Sequence, residues 1–185
     1  LEDSSETRPL DILDVNDDLC IHIGDIGVNA AIVDSYDKEP RRGLTTYAKY
    51  LFEHIDGASP FGVEVSIDDN LIRENIIMLA ICNSRRFGTG VAINNQSNPF
   101  DQKFEIVLIK NIEAMDYVQA GLSVFDSKLA DYKGVEILSG SSAEITLSQQ
   151  RKLQLDGEVI GDTKHLKISC TDTVPLLVTT DMNYV

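Results

Sequence analysis

The sequence predicts a mainly β domain, an antiparallel β-sandwich carrying two added α-helices. Three observations lead there. Apolar residues alternate with a period of two along most of the chain, as half-buried strands require. Only two segments carry a helical period instead, and strands and helices show no regular βα alternation of the kind that builds a doubly wound sheet. With 185 residues, 43% of them hydrophobic and 25% charged, and with no internal repeat or low-complexity linker, the chain suits one domain spanning residues 1–185.

The strand evidence begins most clearly at FGVEVSID, where Phe61, Val63, Val65 and Ile67 share one face. Asp68, Asp69 and Asn70 supply turn residues, and LIRENIIMLAICN follows as a long apolar return arm, so a hairpin is expected. Phe104, Ile106 and Leu108 alternate with Glu105, Val107 and Ile109. Val135 with Ile137, Ile145 with Leu147, Leu153 with Leu155, and Leu166 with Ile168 and Cys170 predict a run of shorter strands toward the C-terminus. The two helical segments are RRGLTTYAKYLFEHIDG, with Leu44, Tyr47, Ala48, Leu51, Phe52 and Ile55 on one face and Gly57 as a stop, and NIEAMDYVQAGLSVF, with Asn111 as cap.

Charge and cysteine content exclude several functions. A formal net charge of −14 repels phosphate backbones and argues against a nucleic-acid binder. Cys20, Cys82 and Cys170 are scattered, without a CxxC or Cys/His cluster for zinc, and suit reduced, buried thiols. The longest apolar stretch, IIMLAIC, is far shorter than the ~20 residues of a spanning helix. His22, His54 and His165 lie beside no nucleophile motif, and the glycine clusters fit neither a P-loop nor a dinucleotide fingerprint.

Three turns could carry chemistry. NSRRFGTG places Arg85 and Arg86 beside Gly88 and Gly90, where flexible backbone could let cations approach an anionic group, or could form an ordinary solvated turn. NPFDQKFEIVLI sets Asp101 just ahead of a strand, with Asn98 and Lys103 either side. A turn of this kind can aim one carboxylate and two carbonyls at a common point, the oxygen set a hard cation prefers. QLDGEVIG offers Asp156, Gly157 and Glu158 at a tight turn between two strands, where a carboxylate can be fixed in orientation. Taken singly, an exposed turn aspartate and a plain DG hairpin account for the last two.

In order, RPLDILDVNDDLCIHIGDIGVNA, RRGLTTYAKYLFEHI, ICNSRRFGTGVAINNQSNPFDQKFEIVLI and GVEILSGSSAEITLSQQRKLQLDGEVIG resemble the C-terminal half of the diacylglycerol kinase-like lipid kinases. The resemblance implies a two-domain enzyme whose N-terminal α/β domain binds ATP through GGDGT and whose C-terminal β-sandwich closes over the cleft. It makes Glu158 the general base that takes the lipid hydroxyl proton. It makes Asp101 a ligand of a structural Mg2+, with backbone carbonyls at Asn98 and Lys103, separate from the magnesium of Mg-ATP. No GGDGT occurs in the 185 residues, so the expectation is the substrate-side domain of a longer enzyme, inactive alone. Gln102 and Lys103 follow Asp101 where the family usually begins with glycine, and FGTG replaces a fuller glycine run.

The expected partners are a lipid with a free hydroxyl, with acyl chains in a gap between sandwich and helices, and ATP through the N-terminal domain. The expected location is the cytoplasm, with peripheral membrane contact through the helix starting at Arg41 and Arg42. The alternatives are a non-catalytic interaction module derived from such a domain and, more distantly, a relative of the NAD kinases.

Overall fold

The computed structural model describes residues 5–27, 58–68, 70–86, 92–110 and 134–179. Both expected helices, with Arg41 and Arg42, and the glycines of FGTG lie outside the described residues, as do the helix walls of the expected acyl-chain gap. The described residues form nine strands: β1 (Ser5–Val15), β2 (Asp18–Cys20), β3 (Ile23–Gly27), β4 (Phe61–Ile67), β5 (Asn70–Cys82), β6 (Phe104–Lys110), β7 (Val135–Gly140), β8 (Ser142–Leu155) and β9 (Glu158–Thr179). Every pairing is antiparallel.

The hairpin expected at residues 61–82 is present. Phe61, Val63, Val65 and Ile67 are buried on one face of β4, and Ile67 pairs with Asn70 across the turn. β6 departs from simple alternation, since Phe104 through Leu108 are all buried, so this strand is covered on both faces. The greatest difference lies downstream. The short strands expected around Ile145, Leu147, Leu153 and Leu155 are one strand of 14 residues, and β9 runs for 22. The polar run SQQRK masks the continuity: between Thr146 and Arg151 the β8–β9 register shifts, and Ser148, Gln149 and Gln150 are exposed at that irregularity.

Length is what builds the sandwich. β8 pairs with β4 through Ala143–Leu147 and with β3 through Leu153–Leu155, while β5 pairs with β4 through its first half and with β3 and β6 through its second. β3, β5, β4 and β8 therefore close a ring, and the two long strands pass from one layer to the other. The continuous core lies inside that ring and across to β9. It joins Ile26, Val65, Leu79, Ile81, Phe104, Ile106, Ile145, Leu155 and Ile168, all 3% exposed or less. Burying each such side chain contributes about 1.5–3 kcal/mol.

Two glycines let β3 sit inside the sheet. A Cβ on Gly24 would lie 2.5 Å from Leu155 Cδ2. One on Gly27, whose φ is +106°, would lie 2.3 Å from the Ile77 carbonyl oxygen.

Candidate functional site

The DGE turn joins β8 to β9. Leu155 pairs with Glu158, and the two residues between them have φ of 52° (Asp156) and 93° (Gly157), both left-handed, as a tight two-residue hairpin demands. Glycine takes this conformation freely and aspartate tolerates it. Glu158 opens β9 and is exposed.

Asp156 is a clamp. Its Oδ1 accepts from the backbone N–H of His22 at 2.8 Å and of Ile23 at 3.1 Å, and from the Cys20 thiol at 3.4 Å. Its Oδ2 accepts from the Ile21 N–H at 2.8 Å. In return, the Asp156 N–H donates to the Ile23 carbonyl at 3.0 Å. The carboxylate thus fastens the turn to the β2–β3 connection, and its negative charge strengthens each of those bonds.

That connection leads to the other two turns. The His22 carbonyl accepts from the N–H groups of Asn83 and Ser84, both at 3.1 Å. The Asn83 side chain donates through Nδ2 to the carbonyls of Asp11 at 2.8 Å and Ile21 at 2.7 Å. Asp11 is buried in β1; its N–H donates to the Pro99 carbonyl at 2.8 Å, and its Oδ2 accepts from the Gln102 N–H at 2.7 Å. Gln102 has φ of 59°, so the QK departure after Asp101 does put strain on a position glycine would occupy without cost. Asp101 is exposed, and its Oδ1 accepts from the Lys103 N–H at 3.1 Å. One hydrogen-bonded path therefore runs from the DGE turn through His22 and Asn83 to Asp11 and the Asp101 turn. Sequence motifs mark its two ends, and Asn83 opens the NSRRFGTG turn; the bridging Asp11 and His22 carry no local signal.

The acidic turn is electrostatically tense. Burial pushes the Asp11 carboxyl above its ordinary value, the Gln102 N–H pulls it back, and the Asp101 carboxylate raises it again. The buried oxygens Asp11 Oδ1 and Asn98 Oδ1 accept no hydrogen bond from the protein. Carboxylate and amide oxygens left over beside two mutually repelling acids suit a hard cation, so the residues present fit the magnesium that the resemblance implies. No group of three or more His, Cys, Asp or Glu side chains collects for a metal among the described residues, so an ion here would depend on backbone oxygens as well.

Arg85, read as half of a possible anion-contacting pair, is held by its own loop: its Nε donates to the Ser97 carbonyl at 2.9 Å, and its carbonyl accepts from the N–H of Ile93 at 3.0 Å and of Asn94 at 3.3 Å. Arg86 bridges to Ala92 through the backbone. The three cysteines are free thiols; Cys20 and Cys82 are buried, and burial pushes both well above the ordinary thiol range. Beside the exposed acids of the DGE turn three apolar side chains reach the surface: Ile21, Val159 and Ile160 are 47%, 42% and 44% exposed. No helix among the described residues is long and apolar enough to cross a membrane.

The same fold recurs in known proteins. An uncharacterised protein of Synechocystis sp. is 26% identical over 175 residues, covering 89% of this chain and 39% of the relative. A protein of Bacillus anthracis str. Sterne assigned as a diacylglycerol kinase superposes with a TM-score of 0.66 at 14% identity, over 94% of this chain and 55% of that one. The crystal structure of a diacylglycerol kinase from the same organism gives 0.60 at 14% identity, over 89% and 52%. The chain thus spans between two fifths and just over half of these proteins' lengths, and the structural likenesses establish the shared β fold. The model of the YegS C-terminal NAD kinase beta sandwich-like domain matches residues 24–178, and the chain belongs to that family.

Proposed function

We propose that this domain supplies the substrate side of an ATP-dependent lipid kinase, with Glu158 as the base that takes the proton from the lipid hydroxyl. The observation that carries the reading is the clamped DGE turn. Asp156 fixes the hairpin to the β2–β3 connection through three backbone N–H groups, and Glu158 stands exposed at its first strand position. Phosphoryl transfer needs mostly positioning and charge stabilisation, which suits a base held on a rigid turn facing a nucleotide carried by a second domain. The apolar surface of Ile21, Val159 and Ile160 beside the turn suits an acyl chain or the covering face of that second domain.

In the same reading Asp101, with the carbonyls of Asn98 and Lys103, would hold a structural Mg2+. Such an ion would neutralise the paired acids Asp11 and Asp101 and stiffen the turn that Asn83 connects to the DGE hairpin. Lipid substrates with a free hydroxyl, ATP bound by the other domain, and peripheral contact with a membrane complete the proposal.

The test is labelled-ATP phosphorylation of a panel of hydroxyl lipids by the polypeptide that carries this domain together with its nucleotide-binding domain. Glu158→Gln should lower kcat by about 10²–10⁴, the usual contribution of a general base. Unchanged turnover in that variant would remove Glu158 from the chemistry, and no phosphorylation of any lipid by the wild type would favour a non-catalytic interaction module.

A further inference from the structure

The buried carboxylate of Asp25 has no part in the reading above. It lies in the middle of β3, fully buried, in register with Ala80 on one side and Gln154 on the other. Its Oδ2 accepts from Nε2 of Gln154, and Oε1 of Gln154 accepts from the N–H of Gly157 in the DGE turn. Gln154 is itself only 2% exposed.

The two bonds require the same amide orientation. Rotating the Gln154 amide by half a turn would set its oxygen against the Asp25 carboxylate and its NH2 against the Gly157 N–H, leaving acceptor facing acceptor and donor facing donor. Asp25 is thus what makes Gln154 present an oxygen to the turn. Gly157 has φ of 93°, and in so tight a hairpin its N–H has no partner within the turn itself. With Asp156 holding one peptide of the turn and Gln154 the other, the backbone leading into Glu158 is held from both sides.

We propose that Asp25 and Gln154 are positioning residues that set the orientation of the DGE turn and hence of the Glu158 carboxylate. This rests on the reading of Glu158 as the base. Keeping a buried carboxylate in the centre of a strand is costly unless it is hydrogen-bonded, and here the Gln154 side chain that bonds it also reaches the turn through its other amide atom. A displacement near 1 Å at a reacting group costs on the order of 10²-fold in rate, so loss of one of two clamps should be visible in turnover.

The experiment compares Asp25→Asn with the reciprocal pair Asp25→Asn/Gln154→Glu in the polypeptide carrying both domains. In the single variant the new amide at position 25 can keep the Gln154 bond through its carbonyl oxygen or offer an NH2 that competes for the Gln154 oxygen, so it no longer dictates one orientation. In the double variant that NH2 donates to one oxygen of the new carboxylate at position 154 while the other oxygen accepts from Gly157, which restores both contacts and keeps an acceptor facing the turn. Asp25→Asn should lower kcat about tenfold, with KM for ATP and lipid held within about twofold, and should speed hydrogen exchange of the Gly157 amide; the double variant should recover both. A normal kcat in Asp25→Leu/Gln154→Met alongside a dead Glu158→Gln overturns the proposal, and so does a reciprocal pair that turns over more slowly than Asp25→Asn alone. If Glu158→Gln is fully active, the base assignment is what has failed, and Gly157 exchange then decides separately whether the relay holds the turn. Should Asp25→Asn not fold, the double variant is compared with Asp25→Leu/Gln154→Met, which fills the space without polar groups: activity kept in the first and lost in the second supports the relay, and equal activity overturns it.

Discussion

Replacing Asp156 by glycine isolates the clamp that holds the DGE turn. Alanine would confound the measurement, because at φ of 52° it adds left-handed strain of about 1–2 kcal/mol, whereas glycine adds none. Asp156→Gly removes acceptors for the N–H groups of Ile21, His22 and Ile23 and for the Cys20 thiol. Hydrogen bonds to a charged group contribute about 1.5–3 kcal/mol each when buried, so three backbone bonds set an upper bound near 5–9 kcal/mol. Asp156 itself is exposed and water can reach much of the freed backbone, so the expected loss is about 2–3 kcal/mol. Asp156→Asn keeps one carbonyl oxygen and left-handed tolerance, and should lose about 1 kcal/mol. Urea unfolding of wild type and both variants at one pH, with equal slopes, reads the series, and the melting temperature of Asp156→Gly should fall by about 4–12 °C. A glycine variant within about 0.5 kcal/mol of wild type would refute the reasoning, as would an asparagine variant no better than glycine.

Gly24→Ala must displace Leu155 and should cost about 1–3 kcal/mol by thermal unfolding, while Gly27→Ala meets backbone at 2.3 Å and a left-handed φ, so its loss should be larger. Glu105 is buried, which raises its carboxyl above the ordinary 4.5 against the lowering effect of hydrogen bonds from Ser97 and Ser139. The native state therefore binds that proton more tightly than the unfolded chain, and wild type loses stability as pH rises from about 4.5 through the raised value. Glu105→Gln should gain on wild type across that window, read as the difference between their urea midpoints from about pH 4 to 8. Lys110 lies between Glu74 at 2.7 Å and Glu136 at 2.9 Å, tying β5, β6 and β7, yet all three are about 30% exposed. Lys110→Met should therefore cost no more than about 1 kcal/mol, an effect that shrinks further in high salt.

Some of this architecture is visible in the sequence because some of it is local. β4 alternates cleanly since one face meets the core and the other does not, and the DGE turn shows itself because its φ values demand special residues. β8 does not show itself as one strand, because the residues at its bend between layers, Ser148 to Gln150, are polar and exposed, and composition there resembles a loop. Asp11 and Asp25 have the local pattern of surface acids interrupting a strand. Their burial depends on Gln102, 91 residues away, and on Gln154, 129 residues away, and nothing near either aspartate announces such a partner. For the same reason the ends of the candidate site are legible as motifs while the wiring between them is not.

β1 forms a short hairpin with β2 over Leu13–Val15, but along its full length it pairs only with β9, from Ser5 with Thr179 to Val15 with Ile168. Contacts that close loops of more than about 150 residues are the slowest to form and contribute nothing until closure. During synthesis the ribosome will therefore have released almost all of the domain before β1 can dock, and until then the exposed edge of β1 is open to pairing with another chain. The cost of this topology therefore falls on the folding chain, as an edge left open late, rather than on the stability of the finished fold.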